Sequence, residues 1–394
     1  METVAVLVQR IGPYHHARFR AFAAKSARRM AVVEFRTEDT QYAWSEVREA
    51  GGYDPIRTHS RGELCEALDR ARPRVLVCVG YSDPEVHQGA VWALSRGVPL
   101  VVCSDSTYID EPRSLIKEAF KRRIIDGFEA ALVAGSRARA YLGGLGMSAD
   151  RMFQPWDVVD NAAFIRGAEL ARADMWAVRA RLGLPEGYFL CVARFLAKKN
   201  LFCLVEAYRR YAARLKNEAW PLVLSGAGPL DAELRERVAE AGIKEKVHFA
   251  GFLQYPDLPA CYGLAGAFVL PSSSDQWGLV VNEAMAAGLP VLVSSRCGCA
   301  PELVSEGQNG FTFDPENTAG LAACLERIAD LTPGQREAMG RRSREIVAAF
   351  TPDAFADGLE SAIDRSIVRR RRTLPHLSRL HLSILAMRKG PARR

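Results

Sequence analysis

Twice along the chain, short unbroken apolar runs alternate with longer amphipathic stretches, and this repeated pattern restricts the fold more than any other feature. The first series reads TVAVLVQ, MAVVEFR, PRVLVCVG, PLVVCSD and AALVAG, separated by segments such as HARFRAFAAKSA, PEVHQGAVWALSRG and SLIKEAFKRRIIDGF. Strands without polar alternation are buried on both faces, as in a parallel sheet covered by helices on either side. After MFQPWDVVDNAAF the series restarts as YFLCVAR, PLVLSGAG, VHFAGF, GAFVLPSS, PVLVSS and GFTFDP. The expected fold class is therefore α/β, with two Rossmann-like doubly wound domains, residues 1–170 and 171–350. In open sheets of this kind ligands bind beyond the carboxyl ends of the strands, so two facing sheets are expected to enclose an interdomain cleft.

A length of 394 residues suits two such cores and excludes one small module. The net charge of +7 is misleading until it is located. Residues 369–394 carry nine Lys/Arg and no acid, so residues 1–368 sum to 7 − 9 = −2. A nucleic-acid binder with a basic, aromatic-laced surface is thereby disfavoured, and no nucleic-acid partner is expected. No run approaches the roughly 20 apolar residues that span a bilayer, and METVAVLVQR lacks the pattern of a signal peptide. A cytoplasmic protein is expected. Nine cysteines, mostly inside apolar runs, do not form a disulfide framework. Cys297 and Cys299 have the wrong spacing for a zinc knuckle, so a tight loop is expected there and no metal site.

Polar or glycine-rich punctuation follows four strands of the second series: RFLAKKN, SGAGP, SSSDQWG and SSRCGC. Arg194 and Lys199 place two cations directly after a strand, suited to a diphosphate or, alternatively, merely solvated. Gly226 and Gly228 would let backbone amides approach an anion, or simply make a turn. In DQWGLVVNEAMAAGLP a helix is expected to start near Trp277–Gly278, capped by Ser273, Ser274 or Asp275, with the amides at Gly278 and Leu279 aimed at phosphate. Asp275 and Glu283 are then two carboxylates able to grip a polyhydroxyl ligand at two places. The plainer alternative makes Asp275 an N-cap and Glu283 a surface residue. It suits Glu283 poorly, since Val280, Val281, Ala284 and Met285 surround it and a buried carboxylate needs partners.

The order R-x4-K, G-x-GP, PSSSDQWGLVVNEAMAAGLPVLVS and CGCAPELV…GFTFDP resembles the donor half of retaining glycosyltransferases of family 4, which have the GT-B fold of two facing Rossmann-like domains. The similarity is strong over residues 185–350 and looser at both ends, where RIGPYHHARFRAFA resembles the family's first loop and helix. FTPDAFADGLESAI resembles the terminal helix that crosses back to the first domain, so residues 351–368 are expected to pack there. The resemblance implies that Arg194 and Lys199 bind the donor diphosphate, Asp275 the transferred sugar and Glu283 the nucleotide ribose. The family's first acid is Glu, so Asp275 departs by one methylene, and Asn200 stands where a glycine is common. The donor is expected to be a nucleotide-diphosphate sugar such as a UDP- or GDP-sugar, with backbone groups near Phe252 and Leu253 meeting the base, and no cofactor is expected.

The first domain is expected to hold a glycan or lipid-linked acceptor, through Gly12, His15 and His16 of GPYHHAR. Many relatives carry a sugar-contacting His after a first-domain strand. The corresponding VVCSDSTYIDEPR has none, and Asp105, Ser106 and Arg113 are the substitutes. In the tail, Leu377, Leu380, Ile384 and Met387 would line one helical face among basic flanks, so residues 369–394 are read either as resting on anionic inner-membrane lipid or as a packing helix. Two further readings stay open: a non-catalytic sugar-nucleotide-binding relative, and a nucleotide-dependent oxidoreductase, against which the missing G-x-G-x-x-G fingerprint counts.

Overall fold

The structure is a computed structural model that describes residues 1–35, 44 and 51–369. The tail beyond Arg369, with its four apolar positions, lies outside the described residues. Two units divide the chain: Met1–Val158 with the helix Pro352–Val368, and Val159–Thr351.

In the first unit the strands are β1 (Thr3–Val8), β2 (Arg29–Glu34), β3 (Asp54–Arg57), β4 (Val75–Val79), β5 (Leu100–Ser104), β6 (Ala130–Val133) and β7 (Met152–Phe153). They form one sheet in the order β3-β2-β1-β4-β5-β6-β7, and each neighbouring pair is parallel. β1 and β5 are buried almost throughout, which is why their sequences run apolar without alternation. The helix Pro352–Val368 returns to this unit and packs on the helix Pro13–Lys25 and on β6. Phe355, Leu359 and Ile363 are its buried stripe, while Arg28 pairs with Glu360 and with Asp364 at 2.7 Å.

The second unit contains β8 (Phe189–Val192), β9 (Leu222–Ser225), β10 (Val247–Gly251), β11 (Ala267–Leu270), β12 (Val291–Ser294) and β13 (Gly310–Phe313). Their order is β10-β9-β8-β11-β12-β13, again all parallel. Leu204, Val205, Tyr208 and Tyr211 form the buried face of the helix Leu201–Leu215 against this sheet and the helix Thr318–Ala329. The change of unit falls between Val158 and Val159, earlier than residue 170. The reason is the helix Asn161–Ala173, which packs closely on the helix Leu258–Gly263: Gly167 and Gly263 have no room for a Cβ at that contact.

Among the described residues no helix is long and apolar enough to cross a membrane.

Candidate functional site

In the second unit, β8 and β11 are neighbours although the chain makes two other strands between them. The connections leave these two strands in opposite directions, so a crevice opens at their carboxyl ends. RFLAKKN leaves β8 and SSSDQWG leaves β11, and the sheet thus brings together two segments that lie about 80 residues apart.

Lys199 Nζ donates to Asp275 Oδ2 at 2.5 Å, and the Ser272 hydroxyl donates to the same oxygen at 3.3 Å. The two charged side chains keep only 15% and 13% exposure, so the pair is shielded without being sealed from a ligand. A second tie runs from Ser273, whose backbone N–H donates to the Lys198 carbonyl at 2.9 Å. Asn200 adopts the left-handed conformation, φ 55°, which asparagine tolerates better than most residues. Its side-chain amide donates to Pro271 O at 3.1 Å and Pro315 O at 2.9 Å, fastening the β8 loop to segments after β11 and β13. Where a glycine would supply the backbone angle alone, Asn200 supplies the angle and two hydrogen bonds. Arg194, half-buried, follows β8 on the same loop.

Asp275 does not cap the following helix. That helix spans Leu279–Ala286, its N-cap is Gly278 with φ 103°, and no side chain caps it. The residues expected to cap are engaged elsewhere. Gly298 N–H donates to Asp275 O at 2.9 Å and Cys299 N–H to Trp277 O at 3.1 Å, pairing SSSDQWG with the Cys-Gly-Cys loop after β12. A Cβ on Gly298 would lie 1.7 Å from Gln276 O, so only glycine allows this approach. Cys297 and Cys299 are fully buried beside it, the Cys299 thiol held well above its usual pKa by burial. The Asp275 carboxylate is consequently free of capping duty and turned to Lys199, while the first-turn amides at Leu279 keep the positive end of the helix.

Glu283 is completely buried, and the Tyr262 hydroxyl donates to its Oε2 at 2.7 Å. The surface reading of Glu283 is excluded. Nothing in the sequence pointed to Tyr262, which lies on the separate helix Leu258–Gly263.

Gly226 and Gly228 serve close backbone approach, but their neighbour is the β8 loop itself. Their Cβ positions fall 1.8 Å from Ala193 O and 2.6 Å from Phe195 O respectively. Phe195 N–H donates to Ala227 O at 2.9 Å, and Gly226 N–H to Gly251 O at 2.8 Å. The glycines therefore lock the Arg194 loop in place and set Phe252 and Leu253, both half-buried, beside it.

In the first unit, Gly12 precedes the helix Pro13–Lys25, its N–H donating to His15 Nδ1 at 3.4 Å. Nδ1 accepts, so the ring proton sits on Nε2. Desolvation, aided by Arg18, holds the His15 pKa down at about 3, and the imidazole is neutral near pH 7. Its ring stacks on Phe19 with centroids 5.8 Å apart. His16 is different: it is buried, with Nδ1 3.0 Å from the Tyr53 hydroxyl, and belongs to the packing of the unit. Arg18, which sequence reasoning missed, is buried under Trp156, with its guanidinium 4.4 Å from the ring centroid, and pairs with Asp157 at 3.1 Å.

Asp105 follows β5. Desolvation first, and then the Asp157 charge, push its pKa up to about 7, against the opposing pull of Arg18. Arg113 is held by its own loop. It donates to the Tyr141 hydroxyl at 2.7 Å, to Glu118 at 3.3 Å and to the Tyr108 carbonyl at 3.0 Å, so it is a structural clamp of residues 107–118.

An acid whose pKa is higher in the folded chain than in the unfolded one costs stability as pH rises from its unfolded value to its folded one. For Asp105 that window runs from about pH 4 to about pH 7. Asp105→Asn is accordingly expected to raise the melting temperature at pH 8 relative to wild type, with the advantage shrinking toward pH 4. A difference independent of pH would rule this account out.

The sequence of residues 174–346 matches the family model described as glycosyl transferases group 1. The chain is 28% identical over 279 residues to the alpha-D-kanosaminyltransferase of Streptomyces kanamyceticus, covering 67% of this chain and 69% of that one. It is 30% identical over 236 residues to the GDP-mannose-dependent alpha-(1-6)-phosphatidylinositol monomannoside mannosyltransferase of Mycobacterium tuberculosis, with 58% and 59% covered. The chain thus spans 69% and 59% of these relatives' length. Among solved structures, sucrose-phosphate synthase of Thermosynechococcus elongatus superposes with a TM-score of 0.72 at 20% identity, covering 91% of this chain and 98% of that one. Anabaena HepE in complex with UDP and glucose gives 0.74 at 16%, covering 92% and 100%. At these identities the likeness establishes the fold, two Rossmann-like domains of GT-B type.

Proposed function

We propose that this chain, a glycosyltransferase of group 1 with the GT-B fold, moves a sugar from a nucleotide-diphosphate donor to a glycan or lipid-linked acceptor, with retention at the anomeric carbon and no divalent metal. The observation that carries this reading is the Lys199–Asp275 pair at the carboxyl ends of β8 and β11, beside Arg194 and the start of the helix Leu279–Ala286. Breaking an anomeric bond to a diphosphate leaves negative charge on the leaving phosphate and positive charge on the ring. In this reading Lys199, Arg194 and the helix amides meet the first, and the Asp275 carboxylate meets the ring or its hydroxyls. An ammonium has three donors, so Lys199 can hold Asp275 and a phosphate oxygen together. With no carboxylate assigned as nucleophile, the same-face route has the departing diphosphate accept the acceptor's proton as the new bond forms. The relatives support the donor class in their own names: one is GDP-mannose-dependent, and HepE was crystallised with UDP and glucose. A cytoplasmic protein working at the inner membrane face in surface polysaccharide or glycolipid assembly fits this chemistry, with the basic residues 369–394 resting on anionic lipid.

The test is a thermal-shift screen of nucleoside diphosphates and their sugars against wild type, Lys199→Ala and Glu283→Ala, because a ligand of the native state raises its stability by mass action. One sugar nucleotide is expected to stabilise the wild type and to do so less in both variants. No shift with any donor in folded protein would remove the reading. Retention is checked separately, by the anomeric configuration of the product from an α-linked donor: a β product sinks it. Donor stabilisation without turnover across an acceptor panel would favour a non-catalytic binding protein.

A further inference from the structure

Of the ten exposed large apolar side chains among the described residues, five fall between positions 108 and 120. Leu115 is 91% exposed, Ile116 71%, Tyr108 51%, Phe120 45% and Ile109 41%. Apolar residues scattered singly over a surface need no explanation, but five exposed ones within residues 108–120 do.

The helix Leu115–Ile125 carries three of them, and its two faces are inverted. Charged groups point inward: Glu118 accepts from the Tyr141 hydroxyl at 3.0 Å and from Arg113 at 3.3 Å, and Lys121 donates to the same hydroxyl at 3.1 Å. Only Ile124 and Ile125, in the last turn, are apolar and buried. At 100° per residue, Leu115, Ala119, Ile116 and Phe120 occupy an outward arc of about 140°, with Arg122 just outside one edge, Lys117 beyond the other, and the exposed Arg123 inside it in the last turn. Residues 113–123 contain five Lys/Arg and one acid, a net charge of +4 where residues 1–368 as a whole carry −2. Glu111 is the one exposed acid between 108 and 123. Apolar side chains in the first turns, with cations beside them and following in the last turn, match an anionic lipid surface: the apolar side chains enter the acyl boundary and the cations meet the headgroups.

We propose that the Leu115–Phe120 face is a membrane-docking surface of the first unit, seated on an anionic bilayer. The proposal rests on the reading of a lipid-linked acceptor for its purpose, since the docking segment is the direct continuation of the loop that begins at Asp105. Seating the helix on the bilayer places the carboxyl end of β5 where such an acceptor emerges from the lipid.

The experiment uses the full chain and sedimentation with vesicles of phosphatidylcholine alone or mixed with phosphatidylglycerol. Wild type is expected to prefer the anionic vesicles, and the triple variant L115S/I116S/F120S to lose at least about tenfold in partitioning. The three side chains are exposed, so the variant keeps its fold, checked by its melting temperature. Equal partitioning of wild type and variant, or no preference of wild type for anionic lipid, overturns the proposal. So does a wild-type dimer that the triple substitution converts to a monomer, which would make this face an interface between copies. Sugar-nucleotide stabilisation is read on the same samples. A wild type that shows no lipid preference but keeps that stabilisation strikes the docking face alone, and a wild type that binds lipid but lacks that stabilisation strikes the proposed reaction alone.

Discussion

Lys199→Ala is expected to lower kcat/KM for the sugar-nucleotide donor by about 10²–10³-fold, the loss typical of removing one preorganised charge-stabilising donor. Two effects add. The leaving diphosphate loses a cation held at the end of β8, and Asp275 loses its 2.5 Å partner. With Lys199 gone, Asp275 keeps the weaker bond from Ser272 at 3.3 Å and is no longer held in one position. Steady-state kinetics separates the contributions. A fall in kcat marks charge stabilised in the transition state, and a rise in KM alone marks ground-state binding of the diphosphate. Lys199→Arg keeps the charge but not the compact ammonium, and is expected to restore donor binding better than turnover. Full activity in Lys199→Ala would place the reaction elsewhere in the molecule.

Gly226→Ala is expected to destabilise the second unit by about 3 kcal/mol or more, among the largest effects a single methyl group can have. The methyl would stand 1.8 Å from Ala193 O, a backbone atom that cannot swing aside, at a φ of 145° that side chains avoid. Relief requires moving the β8 exit loop and with it Arg194. Gly251→Ala is the control: its φ of 69° carries about 1 kcal/mol of left-handed strain, but its Cβ meets nothing within 4 Å. Urea unfolding followed by tryptophan fluorescence gives the comparison. Equal midpoints for the two variants would show that the loop yields freely, and the glycine would then not be needed for close approach.

How much of this was legible in the sequence depended on whether the cause was local. Unbroken apolar strands announced both parallel sheets, because burial on two faces leaves no other pattern. Arg194, Lys199 and SSSDQWG were legible as strand-end residues, and the strand order brought them together. The capping role expected for Asp275 was the natural local reading, and it failed because a non-local partner, the Gly298 loop, claims that backbone first. Glu283 was legible as a buried carboxylate from its apolar neighbours, but its partner Tyr262 lies on another helix and left no signal. His16 and Arg113 were expected on the acceptor side. Tyr53 and Tyr141, distant in sequence, turn them into packing groups. SLIKEAFKRRIIDGF read as a helix covering the sheet, yet periodicity alone does not say which face turns inward. The polar cluster of Glu118, Arg113 and Tyr141 decided it.

The helix Pro352–Val368 belongs to the unit that the chain begins, but the ribosome reaches it only after the whole of the other unit has been made. Phe355, Leu359 and Ile363 are thus missing from their sheet for the greater part of synthesis. The second unit, being continuous in the chain, can close by itself, whereas the earlier strands must wait with an apolar face uncovered. Order of completion runs against order of emergence, and a chain that stops short of Pro352 leaves that face as a target for chaperones and proteases.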